Sequence, residues 1–174
     1  GGKPAWPVNI SINEFAAHYT PDINDPTVLK DGDLVKMDIG VQINGCAWDR
    51  AFTVCIGQKS HPLIDASEKA LEEALKIMKA GTKVFEISDV VENTVNKMGY
   101  KVVRNLSGHR IEQHHQHAHP SIPNSKNSMK DELQKDWVMA MEVFTTNGSG
   151  FVIESSPNGI FKYLQDKPVR MWEA

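Results

Sequence analysis

Asp38 and Asp49 stand eleven residues apart on either side of Asn44-Gly45, in the run LVKMDIGVQINGCAWDRAFTVCIG. Asn-Gly between β-rich runs favours a two-residue hairpin turn, because both residues tolerate the positive φ that such a turn demands. Strands are therefore expected over 34–43 and 46–56. If Ile43 faces Cys46, then Gly40 faces Asp49 and Ala51 faces Asp38, and the two carboxylates share one face as a diagonal pair with Cβ atoms about 7 Å apart. Like charges at that distance repel unless a cation or a donor lies between them. Hard divalent metals are a common solution. A solvated polar face on a half-buried sheet would show the same alternation, so the aspartates alone leave both readings open. The other face, with Val35, Met37, Ile39, Val41, Phe52, Val54 and Ile56, is expected to pack against a core.

Two further regions hold residues fit for chemistry. Residues 109–119 contain five histidines. If that segment is extended, His109, Ile111, Gln113, His115, His117 and His119 share a face. His114, His115 and His119 are read singly as surface side chains without a role. Glu142 stands in WVMAMEVF, among Met139, Met141, Val143 and Phe144. A carboxylate buried there must be neutral, paired or metal-bound, and a structural salt bridge is the competing account. Two aspartates, a histidine and a glutamate suit Mn, Fe, Co or Zn, and shared carboxylates suit a pair of such ions.

The elements that must position these groups follow from pattern and punctuation. Residues 4–30 are rich in turns, with Pro4, Pro7, Pro21 and Pro26, and only 13–18 has room for a helical turn or short strand. A helix is expected over 64–79, with Leu63, Ala70, Leu71, Ala74, Leu75 and Met78 on its apolar stripe, Asp65 or Ser67 as cap and Gly81 as stop. A second helix is expected over 88–98, started by Ser88 and Asp89 and ended by Gly99. Strands follow at 100–104, 137–145 and 151–155, with a lysine-rich loop over 125–136. A hairpin, two helices and then strands make an α+β order.

Composition narrows the class. The chain has 174 residues, 40% hydrophobic and 24% charged, which suits one domain with a core. A net charge of −3 gives no electrostatic case for nucleic acid, and no apolar run approaches the ~20 residues that span a bilayer. Cys46 and Cys55 fall on one strand about 30 Å apart, too far to bridge, and read as reduced packing residues in a cytoplasmic protein.

The segments PVNISINEFAAHYTP, VLKDGDLVKMDIGVQINGCAWDRAFTV, RNLSGHRIEQHHQHAHPSIPN and AMEVFTTNGSG, in that order, closely resemble type 2 methionine aminopeptidase in its archaeal form. The resemblance covers nearly the whole chain and implies a pita-bread fold, with helices packed on a curved, mostly antiparallel sheet. It implies one incomplete catalytic domain over 1–174, short at both ends. Two divalent ions (Co, Mn, Fe or Zn) would be held by Asp38, Asp49, His109 and Glu142. The family's substrate-contacting histidines match His18 and His117, and Trp6 stands where a phenylalanine near the methionine pocket is expected. The implied catalytic groups are His18, His117 and Glu142, with Glu142 carrying the proton. The implied substrate is the N-terminal methionine of peptides or nascent proteins, and association with the ribosome would accompany action on nascent chains.

Several positions depart from that pattern. The family's fifth ligand, a late glutamate, has no counterpart, since neither Glu154 nor Glu173 has its context. Gln116 replaces an aliphatic residue, His119 a glycine and Val143 a proline. An inactive pita-bread homologue serving as a binding module, and a proline-specific peptidase on the same fold, are the alternative functions.

Overall fold

The chain enters through two short strands, β1 (Lys3–Pro4) and β2 (Asn9–Ile12), both antiparallel to the long strand β3 (Leu34–Ile43). The computed structural model describes residues 1–155 and 160–161; Glu173 lies outside them. In β2 the sequence Asn-Ile-Ser-Ile alternates faces, burying Asn9 and Ser11 on the side that also carries Asp38. The proline-rich reading of this region missed that strand. Its four residues are too few to show a period, and pairing with β3 supplies what propensity does not.

Asn44 at φ 51° and Gly45 at φ 80° close the expected hairpin, and β3 returns as β4 (Cys46–Cys55). The register is the expected one: Ile43 faces Cys46, Gly40 faces Asp49 and Asp38 faces Ala51. The opposite face departs from expectation. Val41, Phe52 and Val54 on it are 40–48% exposed, and Trp48 is exposed as well. Val35 on the same face is buried, so cover reaches β3 at the open end of the hairpin and not the part nearer its turn. Cys46 is likewise exposed rather than packed, whereas Cys55 is buried.

Two helices follow, α1 (Pro62–Ile77) and α2 (Val84–Lys97), and both begin before the positions expected. His61, not Asp65 or Ser67, caps α1 by accepting the Leu63 N–H, with Pro62 preset for the first turn. The buried stripe of α1 is Ile64, Ala66, Ala70 and Ala74, and Leu75 points outward. Helix α2 starts four residues before Ser88, where the Glu86 carboxylate accepts the Lys83 N–H. Ser88 is buried within the helix, and its hydroxyl donates to the Pro123 carbonyl.

After α2 come β5 (Lys101–Val102), β6 (Ser107–Glu112), β7 (His115–Pro123), β8 (Val138–Ala140) and β9 (Thr145–Thr146). Strands β7, β6 and β8 form one antiparallel sheet and β5 with β9 another. Residues 141–144, expected within the strand over 137–145, and 151–155 lie outside the strands. The histidine-rich segment is not one extended strand either; it folds back at Gln113-His114, with His114 at φ 62°. The β6–β7 ladder also slips: His109 faces Ser121, Arg110 faces Ala118 and Glu112 faces His115. The core lies where Val84, Ile87, Val91 and Val95 of α2 meet Ala70, Ala74, Val102, Ile122 and Leu133. The architecture is the expected α+β one, with antiparallel sheets and two helices; β7 packs on α2 through Ile122, and β6, paired with β7, carries His109 toward β4.

Candidate metal centre

Three of the expected ligands converge. His109 is 6% exposed, and its Nδ1 lies 3.2 Å from the Arg110 carbonyl, which can only accept and so fixes a hydrogen on that nitrogen. The other nitrogen, Nε2, therefore faces the carboxylates, 3.0 Å from Glu142 Oε1 and 3.6 Å from Asp49 Oδ2. One ligand atom from each of Asp49, His109 and Glu142 lies within 4.8 Å of the others. Asp49 arrives on the hairpin, His109 on β6 and Glu142 on the irregular segment after β8. Glu142 is less enclosed than its apolar neighbours suggested, its side chain being 26% exposed.

The electrostatics match a cation site. Burial alone would favour neutral His109, but hydrogen bonding and charge from Asp49 and Glu142 outweigh it and raise the imidazole to about 10. A proton thus occupies the place between two carboxylates. Asp38 lies in the same field. Burial, then the charges of Asp49 and Glu142, lift its carboxyl to about 6, while Trp6 and His109 pull the other way. Its Oδ1 is buried and has no hydrogen-bond partner among the described residues. A buried oxygen without a donor, beside a carboxylate–imidazole cluster, fits a divalent ion better than a closed hydrogen-bond network.

His117 meets His109 edge to face with ring centroids 4.5 Å apart, which the β6–β7 fold-back makes possible. Partial burial and then the charge of His109 lower its pKa, so its ring is neutral at neutral pH and able to donate or accept. His18 stands on an exposed loop at φ 65° and contributes to the field at His117. Trp6 lies flat on Gly40, opposite Asp49 in the hairpin; a Cβ at Gly40 would stand 2.4 Å from the indole. Of the remaining histidines, His115 is exposed, and exposed His119 pairs with Asp131 at 2.8 Å, away from the cluster.

Asn124 escaped sequence reasoning. Fully buried, it donates to the Glu142 carbonyl at 2.7 Å and accepts the Phe144 N–H at 2.6 Å, so one amide replaces a strand partner for the segment bearing Glu142. Its position among turn-forming residues in IPNSKN gives no sign of a partner eighteen residues away. Asn124→Ala is expected to cost about 2 kcal/mol, because it leaves two partly buried backbone groups unpaired. Urea denaturation measures that loss, and manganese titration should show weaker binding as Glu142 loses its fixed place.

Comparison with known proteins agrees with this geometry. Residues 1–161 match the model of metallopeptidase family M24. The whole chain is 48% identical to a methionine aminopeptidase of Thermococcus onnurineus and 47% identical to one of Pyrococcus horikoshii, each over 59% of the relative's length. A crystal structure of methionine aminopeptidase from Thermotoga maritima superposes with a TM-score of 0.77 at 28% identity, covering 85% of this chain and 60% of that one. The chain thus spans about three fifths of the length of these relatives, and it belongs to metallopeptidase family M24.

Proposed function

We propose that this chain is the ligand-bearing part of a methionine aminopeptidase, which removes N-terminal methionine from peptides and nascent proteins in the cytoplasm. The observation that carries the reading is the convergence of Asp49, His109 and Glu142 in a chain whose relatives bear that name. Asp38, Asp49, His109 and Glu142 would hold the metal, as two ions if a further ligand completes the set. When bound, divalent metal supplies a Lewis acid for the scissile carbonyl and lowers the pKa of attacking water.

The residues divide the remaining work. Glu142, still partly open to solvent, is placed to take a proton from water and pass it to the leaving amine. Neutral His117 can donate a hydrogen bond to the peptide carbonyl and support the charge that develops there. His18, on its loop nearby, would contact the substrate backbone. Trp6, pressed on Gly40, offers an apolar wall for the first side chain.

The test is direct. The purified protein is titrated with manganese and cobalt and then offered a Met-Ala-Ser peptide and an X-Pro dipeptide. Metal binding with release of methionine from the tripeptide is expected. Absence of metal binding would sink the metallopeptidase reading, and turnover of the X-Pro substrate alone would replace it with a proline-specific one. Bound metal without turnover of either peptide would favour a binding module.

A further inference from the structure

Asp49 and His109 belong to different sheets, so no common ladder fixes the 3.6 Å between them. Their hairpins meet at the tips instead. The His114 N–H donates to the Gly45 carbonyl at 2.8 Å, and the Gln113 side-chain amide donates to the Asn44 carbonyl at 2.8 Å. The His114 ring lies against the Cα of Gly45: a Cβ added there would stand 2.2 Å from the imidazole. Besides the ion pair of Asp49 with His109, these two hydrogen bonds are the polar contacts joining the two hairpins among the described residues.

Two details suggest more than a passing contact. His114 holds φ 62°, a conformation that glycine would adopt at lower cost, yet the residue carries the ring that covers Gly45. The contact also lies at matched distances from the ligands. Asp49 is four residues from Gly45 along β4, about 13 Å by strand rise, and His109 is five residues from His114 along β6. Each strand is therefore clamped at its tip and meets the other at the metal centre.

We infer that Gly45, Gln113 and His114 form a latch between the hairpin tips that positions Asp49 against His109. They are positioning residues, touching neither metal nor substrate, and their role in metal binding rests on the metallopeptidase reading. Without the latch each hairpin keeps its own ladder, while the distance between the two ligands is released.

The double substitution Gln113→Ala with His114→Gly deletes the side-chain hydrogen bond to Asn44 and the ring over Gly45, leaving only the backbone bond from residue 114, and tests this in the full-length protein. Glycine relieves the positive φ at 114, which offsets the loss of one exposed hydrogen bond, so the variant should stay folded with its thermal midpoint little changed. In metal-free protein, the imidazole ¹⁵N shifts of His109 report its contact with Asp49 and Glu142, and the substitution should move them. Unchanged shifts would overturn the latch whether or not the protein binds metal. In the manganese titration, affinity should fall on the order of tenfold; equal affinity in a folded variant would also overturn it. Failure of the unsubstituted protein to bind manganese is a separate result that strikes the metal reading and leaves the shift comparison to judge the latch.

Discussion

Replacing His109 with alanine is expected to lower affinity for manganese or cobalt by a hundredfold or more, on the order of losing a ligand rather than a supporting contact. The protonated imidazole also offsets one of the two charges of Asp49 and Glu142 in the metal-free protein, lying 3.6 and 3.0 Å from them. Its removal leaves the buried side chain of Asp49 facing partly open Glu142 without a cation, at a cost of about 2 kcal/mol. Titration calorimetry measures the first effect and denaturation in chelator the second. The variant should be less stable without metal, and added metal should restore little of that loss.

The proton on His109 gives the same prediction a pH dependence. Burial opposes protonation, but Asp49 and Glu142 prevail and hold the imidazole near 10, against 6.5 ordinarily. The stability it contributes to the metal-free fold is therefore complete below about 6.5 and lost as pH rises through about 10. In chelator the thermal midpoint should drift downward across that window, and the drift attributable to this group should vanish in His109→Ala. Metal must displace the same proton, so affinity should rise between pH 7 and 9, with proton release visible as a buffer-dependent binding enthalpy.

Gly108→Ala is expected to be nearly as damaging although it adds one methyl group. A Cβ there would lie 2.5 Å from the Ala140 carbonyl oxygen, 3.0 Å from the Glu142 nitrogen and 3.2 Å from the Met141 Cα. All three are backbone atoms, so no side chain can swing aside. Strand β6 must retreat from β8, and it carries His109 while the displaced segment carries Glu142. Overpacking of this kind costs about 2 to 3 kcal/mol, or a fall of about 5 to 10 °C in the midpoint of a chain this long. Thermal denaturation reads the loss, and a parallel manganese titration should show weakened binding, because the two ligands move apart together.

The parts of the molecule legible in its sequence are those settled by neighbours along the chain. Asn44-Gly45 defines a turn by backbone freedom alone, and a two-residue turn leaves one register for the strands that follow. That register alone puts Asp38 and Asp49 on one face. Residues 113–114 made an equally tight reversal without announcing it. Histidine tolerates a positive φ but does not signal one, so β6 and β7 read as a single run. Ser88 misled for a related reason. A serine near a helix start resembles a cap, yet this hydroxyl satisfies the Pro123 carbonyl, thirty-five residues away. Glu142 was recognisable by its apolar setting, whereas Asn124, which holds its backbone, acts through contacts that no local pattern records. The open apolar face of the hairpin shows the same limit: alternation reveals which side wants cover, not which element supplies it.

The slip in the β6–β7 ladder bears on how such a chain can change over time. His119 and Pro120 stand between the residue facing His109 and the residue facing Arg110, so β7 runs two residues longer than its partner there. The meeting of His117 with His109 thus depends on the length of that excursion more than on the chemistry of the residues within it. Because successive side chains along a strand alternate faces, losing or gaining one residue there would turn His117 away from the metal centre. Exchanging exposed His119 for another residue would leave the count intact. A lineage could therefore vary the chemistry at that position freely while purging single-residue insertions and deletions beside it.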